Sequence, residues 1–165
     1  MTAAGLAGSA PPRTRGPALA GLALLLLLGL FYLCGGVSDL AADASSGIPA
    51  DHYGTFTSLA RHSFAQASAA TPGTASYISV LERGYALHEL TFALLFLLIL
   101  AIPFRRRQRW AWWAAWIPMI ANLGYTFTFG IHDHAILTRS LIADIALPAL
   151  LLAHIPALLP PSPPP

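Results

Sequence analysis

The chain has no lysine, a single cysteine and very little charge. Its 165 residues are 10% charged and 56% hydrophobic, with a mean hydropathy of +0.62, against about 25% charged residues in an ordinary soluble domain. So few charged groups cannot coat a globular surface with solvated side chains, which points to lipid as the surrounding solvent. The lone Cys34 excludes an internal disulfide framework and a cysteine-based zinc motif. The bulky residues of "FYLC" before it also exclude a lipoprotein signal. A net charge of +2 gives no attraction to nucleic acid. All the basic charge is arginine, a usage associated with GC-rich bacterial genomes. The length allows one domain, and no internal repeat is present.

Long apolar runs are what the chain does have. They cover 17–37, 85–104, 110–129 and 135–159. A bilayer core of about 30 Å takes roughly 20 helical residues to cross, and in lipid each backbone group must find its partner inside its own segment. The expected fold is therefore all-α: a polytopic membrane protein with a four-helix transmembrane bundle. Arg13 and Arg15, an apolar run and then "ADA" at 42–44 also follow the grammar of a cleavable signal. The run exceeds the 7–15 residues usual for one, which favours a retained anchor.

Orientation follows from the arginines. Arg13 and Arg15 precede the first run, and Arg105, Arg106, Arg107 and Arg109 fill the link between the second and third. Two crossings separate these groups, so both lie on one side, the cytoplasm. The N-terminal tail (1–16), the loop 105–109 and the proline-rich tail (160–165) are then cytoplasmic, with both termini at the inner face of a plasma membrane. Trp110, Trp112, Trp113 and Trp116 form an aromatic belt there. The opposite side holds the segment 38–84 and the short link 130–134. Phe56, Leu59, Ala60, Phe64 and Ala67 recur at helical spacing, so about 49–68 is expected to form an outer interfacial amphipathic helix. His52 and His62 are read as solvated.

An ionisable residue within a span is a functional candidate by default. Asp144 is the sharpest, four residues before Pro148, whose missing N–H leaves the Asp144 carbonyl a spare acceptor. At 1.5 Å per residue, Asn122 and Asp144 reach overlapping depths about 12 Å below the outer surface. Tyr125 shares the Asn122 face, and His88 and Glu89 begin the second span. Above them lies "GIHDH" with His132, Asp133 and His134. Polar groups from four separate regions thus converge on the outer third. Asp144, His88 and Glu89 are candidates for catalysis; Asn122, Tyr125, His132, Asp133 and His134 are candidates for a binding pocket.

No cofactor is expected outright. A divalent metal on His132, His134, Glu89 and Asp144 is one alternative, and acid–base chemistry on a lipid is another. A through-pathway lacks matching polar groups at inner depth, where only His154 stands. The stretch "IPFRRRQRWAWWAAWIPMIANLGY" (102–125) resembles the basic-then-tryptophan junction of small bacterial four-span membrane proteins, and the plan is similar to that of DoxX-like proteins. The resemblance covers helices two to four and rests on topology and belt residues, so it implies a fold and no site. The functional expectation is an accessory or scaffold subunit of the plasma membrane rather than an enzyme. Its partners would be the lipid bilayer and a second membrane protein or a second copy. The alternative is a membrane-embedded enzyme or a metal- or lipid-binding protein with an outward His/Asp/Glu pocket.

Overall fold

The computed structural model describes residues 15–158, whose regular elements are all helices, with no strand among them. The proline-rich tail and all but the end of the N-terminal tail lie outside the described residues. In order, the elements are α1 (Arg15–Ser46), α2 (His52–Ala60), α3 (Phe64–Ala70), α4 (Pro72–Ile99), α5 (Arg109–Ala114), α6 (Ile117–Tyr125), α7 (His134–Ala153) and α8 (Ile155–Leu158). π-helical turns extend α4 over Leu100–Phe104 and α6 over Thr126–Gly130. Three helices are long and apolar enough to cross a membrane: Gly16–Ser46, Pro72–Phe104 and His134–Ala153.

The third expected span, 110–129, is not one continuous helix. Pro118 lacks the N–H that would reach the Ala114 carbonyl, and its ring crowds that carbonyl. The helix accordingly stops at Ala114 and restarts at Ile117, with Pro118 in the first turn of α6. Pro103 similarly cannot bond back to Ile99, and the chain widens there into a π turn.

α1 and α4 pack together more extensively than any other pair, antiparallel along their length. Close approach is set by small residues on one seam of α1. A Cβ on Gly36 would lie 2.9 Å from the Leu90 backbone nitrogen, and one on Gly29 would overlap Leu97. Gly21, nearer the start of α1, lies against His154, the residue that ends α7. The core between these helices holds Leu25, Phe96, Leu100, Trp112, Leu147 and Leu151, all buried. Large apolar side chains such as Leu94, Ile142 and Ile145 point outward, as befits helices whose outer faces meet an apolar solvent.

Segment 38–84 is more ordered than a loop. α1 continues well past its apolar run to Ser46, and α4 begins at Pro72 rather than near Tyr85. The expected single amphipathic helix over about 49–68 is two. Arg61 takes a left-handed conformation (φ 63°) that ends α2, and Ser63 and Gln66 form a capping box that starts α3. The two helices fold onto the first turns of α4 through Phe56, Phe64 and Ala75, with Ile48 beneath. α2 and α3 thereby roof one end of the bundle, and the arginines of 105–109 mark the other.

Candidate functional site

Beneath that roof, α1, α4, α6 and α7 enclose a cavity of about 570 Å³. Its wall changes character along α1, α4 and α6, and α7 adds polar groups between Ile136 and Ala143. Phe31 and Tyr32 give way to Asp39 on α1, and Phe92 gives way to Glu89 and Tyr85 on α4. Pro118 gives way to Asn122 and Tyr125 on α6, and the polar groups of α7 are Ser140 and Arg139. The deep end is apolar and the roofed end polar. Two wall groups, Tyr32 Oη and Glu89 Oε2, are sealed from solvent without a hydrogen-bond partner among the described residues.

The roof itself is built around His52, which is 2% exposed. Asp51 stands at the start of α2 and His52 is its first residue, so both point down from one short turn. The π turn after Tyr125 aligns Phe129 with the roof, and its ring stacks on His52 with centroids 4.5 Å apart and planes 17° from parallel. Tyr85 and Tyr125 complete the surround at 5.6 and 6.0 Å. His52 Nδ1 lies 2.8 Å from Glu82 Oε2. Tyr125 Oη donates to Asp51 Oδ2 at 3.2 Å and stands 3.4 Å from His52 Nε2.

Burial alone would lower the His52 pKa. The Glu82 hydrogen bond and charge, with the charges of Asp51 and Asp39, outweigh it and hold the pKa above its ordinary value. Donor atoms of Asp39, Asp51 and His52 all lie within 4.8 Å of one another, the one such grouping of potential metal ligands among the described residues.

Asn122, Tyr125 and Glu89 line this cavity. Asp144 does not. It is buried behind Asn122, and both its oxygens are taken: Oδ1 by Asn122 Nδ2 and Oδ2 by Thr126 Oγ1, each at 2.7 Å. His88 is exposed on the outer face of α4 and bonds to the Gly84 carbonyl of its own helix. The "GIHDH" link is a helix cap. Asp133 Oδ1 accepts from the backbone of Ala135 and Ile136 at 2.7 and 3.2 Å, and its carboxylate abuts Gly54 of α2. His134 is exposed beside Thr138, and neither it nor His132 touches the cavity. The expected metal set of His132, His134, Glu89 and Asp144 is thus scattered, because Asp133 turns the link into the start of α7.

The residues missed by sequence reading are Asp39, Asp51, His52, Glu82 and Tyr85. One sequence signal was available. Asp39 follows Gly35 and Gly36 by one helical turn, so if α1 continues past Val37 it stays on the seam that faces α4. No family model, curated protein or solved structure matches the chain.

Proposed function

We propose that the chain is a four-span integral protein of a bacterial plasma membrane whose outward-facing cavity binds a small amphiphile. The fourth crossing is the broken path α5–α6 with its π turn, whose 22 positions from 109 to 130 match the roughly 20 residues a bilayer requires. Its two helical pieces pack on the π turn that extends α4 and on α7, and Ala115 at the break is fully buried, so the interruption lies against protein, where irregular backbone is tolerated. Placing the arginine end in the cytoplasm puts both termini inside and the roofed cavity at the outer leaflet.

The observation that carries the reading is the graded wall. Three helices, α1, α4 and α6, each present apolar side chains deep in the cavity and acids, amides or phenols nearer the roof, and α7 adds Ser140 and Arg139. An apolar tail can lie between Phe31, Phe92 and Pro118 while a polar head reaches Asp39, Glu89, Asn122 and Tyr125. The volume of about 570 Å³ falls in the usual range of roughly 300–1,000 Å³ for small-molecule sites. It suits a single-chain or isoprenoid amphiphile. A purely scaffolding role gives the cavity no use.

The test has two arms. In a Cys34→Ala background, a maleimide probe added to intact cells should label Gln66→Cys, while Gln108→Cys should label only after permeabilisation. External labelling of both sites overturns the topology. Gentle purification followed by mass spectrometry should recover one amphiphile per wild-type chain and little from Ala143→Phe, which fills the cavity. Equal recovery from the two proteins, with intact folding, overturns the binding reading.

A further inference from the structure

We propose that the roof of the cavity is a divalent transition-metal site in which Asp39, Asp51 and His52 supply the ligands and Glu82 orients the histidine. The inference does not depend on the amphiphile, since it concerns the roof alone.

Three observations converge. First, the donor atoms are already gathered. Asp39 comes from α1, and Asp51 with His52 from the start of α2, yet all three donors lie within 4.8 Å of one another. An ion at their centre needs distances of roughly 2.0–2.2 Å to each oxygen or nitrogen, which three such atoms reach with small side-chain shifts.

Second, the histidine is held as metal-bound histidines are. A ligating imidazole generally donates its second ring nitrogen to a carboxylate, which fixes its tautomer and orientation. His52 is 2% exposed, its Nδ1 is 2.8 Å from Glu82 Oε2, and Phe129 stacks on its face. That leaves Nε2, whose nearest polar contact is the Tyr125 hydroxyl at a long 3.4 Å. Tyr125 donates to Oδ2 of Asp51, and no other group among the described residues bonds to the second carboxylate oxygen.

Third, carboxylates outnumber basic groups around the roof. Asp39, Asp51, Glu82 and Glu89 surround one imidazole, and the cation in the cavity wall is the exposed Arg139 of α7. Half-buried carboxylates held this close repel one another, and a divalent ion offsets that repulsion.

The donor set names the class. One imidazole with two carboxylates suits zinc, manganese or iron(II), whereas calcium and magnesium take oxygen donors. Three protein ligands leave a position open, here toward the cavity and Glu89.

The experiment uses the full chain in detergent, stripped with a chelator and titrated with Zn²⁺ alone, then with Ca²⁺. Bound metal is counted by elemental mass spectrometry, and Co²⁺ substitution reports the ligand field by absorbance. Wild type should take up one Zn²⁺ per chain, and Asp39→Asn, Asp51→Asn and His52→Gln should take up none. Glu82→Gln should bind about 10–100-fold more weakly. Two substitutions outside the cavity, His88→Ala and His134→Ala, should bind as wild type, as should the cavity-filling Ala143→Phe. Because ligand substitutions can unfold a roof, each variant is compared with chelator-stripped wild type for thermal unfolding, and Glu82→Gln carries the proposal if the others fail to fold. Wild type binding no Zn²⁺, binding that survives Asp39→Asn and Asp51→Asn, a Glu82→Gln affinity equal to wild type, or Ca²⁺ bound as tightly as Zn²⁺ would each overturn it. Loss of the amphiphile from Ala143→Phe with zinc retained separates the two readings.

Discussion

His52 Nδ1 stands 2.8 Å from Glu82 Oε2, a contact between residues 30 apart in sequence that fastens α2 to α4. The ring is buried, yet the carboxylates of Glu82, Asp51 and Asp39 raise its pKa above the ordinary value of 6.5. Tyr85 and Tyr125 are the other titratable groups facing it. In the metal-free protein this pair therefore makes stability depend on pH. A group whose pKa rises on folding binds its proton more tightly in the native state. Its contribution is complete below the unfolded value and fades as pH rises through the folded one. Chelator-treated protein should thus melt at progressively lower temperature as pH climbs from about 6.5 into the alkaline range. Glu82→Gln should flatten that slope. A slope indifferent to Glu82→Gln would assign the pH dependence to another group.

The link between α6 and α7 matters for stability rather than chemistry. Asp133 caps α7, and replacing such a cap with alanine costs about 0.5–2 kcal/mol. Its carboxylate also abuts Gly54, where an added Cβ would overlap Oδ2. Glycine to alanine within a helix ordinarily stabilises by about 1 kcal/mol. Gly54→Ala should instead destabilise, by at least as much as Asp133→Ala, because it expels the cap and lifts α2. The double variant should lose less than the sum of the two single losses, since both remove one shared interaction. Thermal unfolding in detergent measures all three, and a stabilised Gly54→Ala would show that Asp133 yields freely.

How much of this was legible beforehand depends on what each residue needed. Asn122 and Asp144 needed only two helices of opposite direction and a rise per residue, so their depths could be matched from sequence. The structure bonds them at 2.7 Å. Asp39 needed knowledge that α1 outruns its apolar stretch, which hydropathy cannot supply because helix length there is set by packing on α4. His52 needed the fold of the roof. As an isolated histidine in a segment rich in small and turn-forming residues, it looks solvated. Its burial arises from Tyr85, Tyr125 and Phe129 on two other elements. The triplet at 132–134 misled for the converse reason. Local density of imidazole and carboxylate is conspicuous in sequence, but the backbone of α7 claimed the carboxylate and turned the rings away.

Asp144 offers the means of separating structural from functional polarity within the bundle. Its two oxygens accept from Asn122 and Thr126, and it stands outside the cavity wall. Asp144→Ala takes an acceptor from both donors. Thr126 keeps the Asn122 carbonyl at 3.0 Å, whereas Asn122 keeps only the Ser140 carbonyl at a long 3.4 Å, so the loss falls mainly on Asn122. A buried group left unpaired costs about 1–3 kcal/mol, and measured polar contacts in a membrane bundle average about 0.6 kcal/mol with a maximum near 1.7. A loss of about 1–2 kcal/mol is therefore expected for Asp144→Ala. Replacing both partners, as Asn122→Leu with Asp144→Leu, should recover part of it, because no buried donor then lacks an acceptor. Amphiphile recovery and zinc uptake by Asp144→Ala should match wild type once folding is equalised by temperature. If Asp144→Ala instead kept its stability and lost either ligand, the carboxylate would belong to the site, and the cavity would have to open toward α7 when occupied.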